Sequence, residues 1–533
     1  MSLVNWDFVI RFLIGEVQTT EDKLPKLAVV NFPETTYCPS MVRINEIVLS
    51  HLVRLCPLRF SGTVVQTSWE KIRTKMGSTD EPVVMKGKGL VGTLFVALTS
   101  VSLMAGAERE EASENWSQWR GPTWNGVASH ADPPITWSET ENLKWKTRIP
   151  GKGWATPVVW GDRMFVLSSV ELEKEMPVPK LIPPGTPRIN PHPRVITSWK
   201  PQQSVVMCID RLSGKPLWSQ TVHEAMPHQG HHRKGGYASA SPVTDGTFVY
   251  SYFGSFGLYC HDFEGRLIWK KNVETLAIED SLGEGSSPAL SGNTLVMIID
   301  HELQSYLVAI DKRTGEEIWR QNREETSNWS TPRIFTHGGR EQVVVNGKAV
   351  KCHDLATGEL LWQCSGQSEG AIPMPAVGHD LVFATSGYAK DTLHAIALGQ
   401  RGDLSDSDHI VWSLDRGTPY VPCPMLWGDE IYLLEDRSFF SCLGATDGTR
   451  HYFKHRLPGP VNFSASPVGA ADRIYLLSEE GKTIVLQRGK ELKVLAINEL
   501  DETFYASPAI IGSAIYLRGD RHLYCFETEG LGN

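Results

Sequence analysis

The residues best equipped for chemistry gather in one region of the chain. "HHRKGGYAS" supplies His231, His232, Lys234, Tyr237 and Ser239, with Arg233 among them. The following segments add Ser286 from "GEGSS", Asp300 from "DHELQS", Arg323, Glu325, Trp329 and Ser330 from "REETSNWS", and Asn346 from "VNGK". Cations, carboxylates, hydroxyls, an amide and aromatic rings together suit recognition of a polar ligand, since each offers a directed donor, an acceptor or an apolar face. The competing reading is a set of solvated polar loops. Asp300 and Glu325 have the oxygen chemistry that Ca²⁺ prefers, although no motif marks them as ligands. Stricter catalytic patterns fail. "HEAMPH", His223 to His228, is one residue longer than H-E-x-x-H, and Pro227 interrupts any helix that would align the ligands. A loop-borne metal among His223, His228, His231 and His232 stays open. "GQSEG" around Ser368 matches G-x-S-x-G but lacks the strand–turn–helix of a nucleophile elbow. No catalytic residue is assigned.

The elements that must position these residues form a repeat. Eight times after residue 150, proline opens a short hydrophobic strand pattern, usually behind a small residue: Pro157, Pro242, Pro288, Pro332, Pro375, Pro424, Pro467 and Pro508. Apart from the first interval they recur every 41 to 49 residues, the period of propeller blades. Each unit reads as strand, Gly turn, strand, variable loop, strand, and most add a tight turn and an outer strand ending near Trp. "DRLSGK", "DKRTGE" and "DLATGE" place Asp to cap the turn and Gly214, Gly315 and Gly358 where the backbone needs positive φ. Trp145, Trp218, Trp269, Trp319, Trp362 and Trp412 recur at one register, as packing between neighbouring blades requires. The last unit stops after three strands, and "NLKWKTRI" supplies the missing outer strand. The fold expected is all-β: an eight-bladed propeller of four-stranded antiparallel blades over residues 143–529, its ring closed by pairing the N-terminal strand with the last blade. Two outer strands lack the Trp, with Tyr452 and Val494 expected in its place. Cys208, Cys260, Cys352, Cys442 and Cys525 share a third-strand register that asks for a small apolar side chain, which makes them structural. Cys364 and Cys423 lie off it. In such a blade the interblade loops and the loops between second and third strands emerge on one face. The candidate residues would therefore line the channel mouth, beside a Pro-rich insertion at 171–203.

The unit A-[IV]-D-x-x-T-G-x-x-x-W resembles the quinoprotein-type β-propeller repeat. That family includes pyrroloquinoline quinone (PQQ) alcohol dehydrogenases and the propeller lipoprotein of the bacterial outer-membrane assembly machine. "NWSQWRGPTWNGVAS", Asn115 to Ser129, resembles the leader of secreted bacterial PQQ-repeat proteins. For the enzymes, the resemblance implies PQQ and Ca²⁺ in the channel, carboxylate and amide ligands, an Asp base and a disulfide between adjacent cysteines. This chain has no adjacent cysteine pair.

Localisation rests on "MKGKGLVGTLFVALTSVSLMAGAE" from Met85: two lysines, a short apolar run, then Ala105-Gly106-Ala107, the order of a signal peptide. Its G-x-G-x-x-G at Gly87 neither follows a strand nor opens a βαβ unit. Residues 1–84 then read as a non-native or disordered extension, 85–107 as the signal peptide and 108–142 as a leader that packs on the propeller. No Cys follows the cleavage site to carry a lipid. A formal charge of −9 gives no nucleic-acid footprint. The expectation is an exported monomer, periplasmic or extracellular, without a membrane span in the mature chain. It would be a non-catalytic scaffold, with no cofactor, that binds a protein, peptide or glycan of the cell envelope at the channel mouth. The alternative is a PQQ- and Ca²⁺-dependent dehydrogenase.

Overall fold

The computed structural model describes residues 115–177, 193–197, 200–459 and 461–528. The expected extension, the signal-peptide segment and much of the Pro-rich insertion lie outside these. The described residues form eight antiparallel blades. Blade one is Val158–Trp160, Arg163–Glu171, Gln202–Asp210 and Pro216–Ala225. Blade three is Ala289–Ser291, Thr294–Ile299, Ser305–Asp311 and Glu317–Arg323, and blade four is Arg333–His337, Arg340–Val345, Ala349–Asp354 and Leu360–Ser365. In the last blade Ala509–Ile511, Ala514–Arg518 and His522–Glu527 are joined by Leu143–Arg148, with Trp145 opposite Cys525.

A propeller blade is buried on both faces, so its middle strands are apolar without alternation. "VVV" at 343–345 illustrates this: Val343 and Val345 pack toward blade three, while Val344 packs toward blade five. Each hydrophobic cluster accordingly spans neighbouring blades. The third-strand cysteines face the outer-strand register as expected, Cys208 opposite Trp218 and Cys260 opposite Trp269. Burial pushes both thiols up to about 12, which leaves them inert. Where the Trp is missing, Tyr452 stands opposite Cys442 as expected. The other substitute is Ala496, opposite Val485, and not Val494; Val494 pairs with Leu486 across the bulge that the other blades also have, the place that Leu267 and Glu317 take two residues before their Trp.

The recurring tryptophans link successive blades. The indole N–H donates to a carbonyl in the next blade's turn: Trp145 to Arg211 (3.0 Å), Trp218 to Phe263 (2.7 Å), Trp269 to Lys312 (2.9 Å), Trp319 to Leu355 (2.9 Å) and Trp412 to Ala445 (2.9 Å). The ring also lies against the turn glycine. Gly315 and Gly358 have φ of +74° and +75°, and a Cβ on either would fall 2.7 Å from the neighbouring Trp ring. Positive φ and close approach thus both select glycine. Trp362 departs from the rule. Blade five has "LGQRGDLSDSDH" where blades one to four, six and seven have the short turn, and its Gly402–Asp403 pairs in parallel with Trp362–Gln363 as a fifth strand. Trp362 is buried, but its Nε1 has no partner among the described residues. Trp319→Phe strands the Leu355 carbonyl and is expected to cost about 1–3 kcal/mol more than Trp362→Phe, which breaks no hydrogen bond. Urea midpoints compare the two, and equal losses would count against the docking bond.

Candidate functional site

The residue before each blade-opening proline lies at the start of an inner strand, where the blades converge. There the backbone N–H of one blade donates to the hydroxyl of the next. Thr156 reaches Ser241 (3.0 Å), Ser241 reaches Ser287 (2.9 Å), and Ser287 reaches Thr331 (3.0 Å). Farther round, Cys423 N–H donates to Ser466 (2.9 Å), Ser466 to Ser507 (3.0 Å), and the Thr156 hydroxyl to the Ser507 carbonyl (3.0 Å). Met374 holds one position without a hydroxyl, and its N–H meets the Cys423 sulfur at 3.2 Å. Cys423, off-register in the sequence, therefore belongs to this belt.

The leader runs across the axis that the belt surrounds. Trp116 forms a bridge with Val159 of blade one, and Thr244 of blade two donates to Ser117 O. Arg333 of blade four donates to Thr123 O at 3.3 Å and lies over the Trp124 ring at 5.2 Å. Ala128 N–H donates to Gly469 O of blade seven, and Asp132 N–H to Gly512 O of blade eight. Arg120 is buried, donates to Pro467 O (2.6 Å) and Asn125 O (2.8 Å), and faces Cys423. Burial pulls its pKa down to about 10. The leader is a plug made from the chain itself.

At the opposite end, Val195–Ile196 pairs antiparallel with His231–His232 to form a two-stranded ribbon. The Lys234 ammonium meets Glu479 of blade seven at 2.8 Å, and the Ser464 hydroxyl donates to the same carboxylate oxygen. His232 N–H donates to Leu282 O. The loop expected on the rim of the mouth thus reaches over it. Its polar groups serve its own conformation: Tyr237 donates to Gln229 O (3.1 Å), and the Ser239 hydroxyl accepts from Gly236 N–H (3.0 Å). His231 sets its ring edge-on to Tyr237 at 4.8 Å, and burial lowers its pKa.

The remaining expected residues lie deeper and hold blades three, four and five together. Arg323 Nε and Nη2 meet Asp300 at 2.9 and 3.0 Å, with both side chains out of solvent. Asn328 Nδ2 donates to Asp300 (3.2 Å) and to Asn346 O (2.7 Å). Asn346 Nδ2 donates to Thr385 O (2.8 Å), Ser286 to Ser330 O (2.7 Å), Ser330 to Pro373 O (3.1 Å) and Trp329 to Gly283 O (2.6 Å). Glu325 accepts from Lys348 N–H at 2.8 Å. The single mouth site expected from sequence is therefore two groups: a capping loop at 231–239 and a buried interblade network.

The nominated calcium carboxylates do not fit that role. Asp300 is clasped by Arg323 and Asn328, and Glu325 by backbone N–H groups. The cavity beneath the cap, lined by His228, Tyr252, Phe256, Glu284 and Ser286, measures about 30 Å³. That is roughly the space of one water, far below the ~300 Å³ at which organic-ligand pockets begin. Among the described residues no three His, Cys, Asp or Glu side chains are grouped to hold a metal. His228 instead bonds Leu276 O (2.8 Å) and His223 stacks on Phe256.

A larger space opens beside the cap. A cleft of about 630 Å³ lies between blades eight and one, lined by Arg148, Lys152, Glu171, Ile196, Lys200, His231, Tyr237, Asp520 and Arg521 among others. Only His231 and Tyr237 of this set were singled out from sequence. Of the others, Arg148 and Lys152 sit in the interblade crossover "RIPGKGW", Asp520 and Arg521 in blade eight's loop between its second and third strands, and Glu171, Ile196 and Lys200 in the 171–203 insertion of blade one.

The profile of the family described as outer membrane protein assembly factor BamB matches residues 202–450 and again 303–529, two overlapping placements as an internal repeat allows. Quinohemoprotein alcohol dehydrogenase from Comamonas testosteroni superposes with a TM-score of 0.53 at 11% identity, over 79% of this chain and 81% of its own. The quinohemoprotein alcohol dehydrogenase ADHIIG of Pseudomonas putida HK5 gives 0.51 at 11% identity, over 80% and 82%. BamB from Moraxella catarrhalis gives 0.45 at 13%, over 68% and 100%. No curated protein sequence matches. At these identities the two dehydrogenases share the fold. The family profile spans more than half of the chain, which thus belongs to the outer membrane protein assembly factor BamB family of PQQ-like β-propeller proteins.

Proposed function

We propose that this protein is a non-catalytic propeller scaffold of the cell envelope, which binds a protein partner on its loop-rich face. The observation that carries the reading is that the chain fills its own axis: the leader plugs one end and the 231–237 loop caps the other. A scaffold needs a firm face and has no use for a chamber. Membership of an assembly-factor family supports a protein as the ligand over a glycan. The signal-like segment from Met85 supports export, and no helix among the described residues is long and apolar enough to cross a membrane.

Calorimetric titration of the full chain with PQQ, with and without Ca²⁺, and a dye-coupled assay of alcohol oxidation test this directly. Neither saturable binding nor turnover is expected. Calcium-dependent binding of about −8 kcal/mol, micromolar affinity, accompanied by turnover would replace the scaffold with a dehydrogenase.

A further inference from the structure

We infer that the cleft between blades eight and one is a binding site for an acidic, partly apolar peptide segment. This rests on the scaffold reading and specifies where and what the scaffold binds. The first observation is charge. Lys200 is engaged by Glu171 at 3.1 Å and by Glu173, and Arg521 donates to Asp501 O at 2.6 Å. Arg148 and Lys152, both solvent-exposed, have no side-chain ion pair or hydrogen bond among the described residues. Two uncompensated cations four residues apart on one wall are notable in a chain of charge −9. They make the cleft attractive to carboxylates, and low-dielectric walls strengthen such a local field.

The second observation is shape. About 630 Å³ lies within the range of specific ligand pockets, roughly 300–1,000 Å³, and admits several residues of extended chain. The crossover wall is held rigidly: Lys152 forms an isolated bridge with Ser169, and Ile149 N–H donates to Arg521 O. The third observation concerns lining chemistry. Ile196 is about half exposed at 47%, an apolar surface next to the cations. Asp520, beside Arg521, also lines the cleft, and its Oδ1 is buried without a hydrogen-bond partner among the described residues.

A peptide fits better than an acidic glycan. Sugar rings stack on a flat aromatic face, whereas here His231 and Tyr237 meet edge-on and the Tyr237 hydroxyl turns away to Gln229 O. Alternating acidic and apolar side chains would match the unpaired cations and Ile196 together.

The test titrates the full chain with a capped hexapeptide of alternating glutamate and leucine, with its lysine–leucine counterpart, and with trigalacturonate. Saturable, salt-sensitive binding of the acidic peptide is expected, weakened at least about tenfold in Arg148→Gln/Lys152→Gln. Circular dichroism establishes that the variant is folded. The reversal Arg148→Glu/Lys152→Glu is expected to gain affinity for the lysine peptide, a readout that misfolding cannot mimic. Unchanged affinity in the glutamine variant, or trigalacturonate binding as tightly as the peptide, would overturn the assignment. If the acidic peptide and PQQ both fail to bind, the cleft assignment falls and the scaffold reading stands. Calcium-dependent PQQ binding with turnover overturns the scaffold reading itself.

Discussion

Trp116→Ala is expected to destabilise the propeller by about 3–5 kcal/mol, the range for removing a large buried ring without collapse of the site. Trp116 is completely buried and belongs to a core that includes residues of blades seven, eight and one. Its backbone bridges Val159, which ties the residue to the inner strand of blade one. Relief by collapse is blocked from the leader itself. Gly121 lies so close that a Cβ there would sit 2.8 Å from the indole, and its φ of +67° strains any other residue. Gly121→Ala is therefore expected to act in the same direction, through overlap with the ring. The denaturant midpoint measures both losses. Limited proteolysis provides a second readout, since a loosened plug exposes the 115–131 segment to cleavage. A Trp116→Ala protein as stable as the wild type would mean that the leader rests on the channel without supporting it.

That leader shows how far sequence reaches in this protein. Its motif and its glycines were readable, because positive φ and close approach leave a local mark. Its destination was not, because contacts with blades one, two, four, seven and eight are set only when the ring closes around it. The blade repeat was legible for the same local reason: the Asp-capped turn, its glycine and the Trp that docks on it all lie within one period. Where local chemistry changes, the reading slips. Blade five lost its short turn and orphaned the Trp362 indole, and in blade seven the Trp position is held by Ala496, which carries no aromatic ring to mark it. The polar residues of the mouth were grouped by face, and their depth was not readable. His231 and Lys234 belong to the cap, whereas Arg323 and Asn346 are locked between blades, a difference that arises from the neighbouring blade and leaves no trace in composition. Arg148 and Lys152 went unremarked because two lone cations in a crossover look ordinary until their partners are seen to be missing.

Depth matters most at Asp300 and Arg323, 23 residues apart at the ends of two strands of blade three. Arg323→Met is expected to cost about 3–5 kcal/mol at pH 8, because it leaves a buried carboxylate with no counter-charge. The deficit should depend on pH in a definite direction. Burial pushes the Asp300 carboxyl up to about 6 even with Arg323 beside it, against about 4 in an unfolded chain. The folded state thus binds the extra proton between those values. The stability linked to this group is fully present below about pH 4 and is lost as pH rises through about 6. Without Arg323, which lowers the carboxyl's pKa, the folded value climbs further and the loss extends to higher pH. The difference between Arg323→Met and wild type should therefore be smallest near pH 5, where the carboxyl enters the fold neutral, and grow toward pH 8. Arg323→Met/Asp300→Asn should recover most of the loss at pH 8, since the charge that needed a partner is gone. Denaturant midpoints at the two pH values decide the matter. A deficit independent of pH, or one that persists in the double variant, would place the cost in the guanidinium's packing and its contact with Asn346 O rather than in the stranded charge of Asp300.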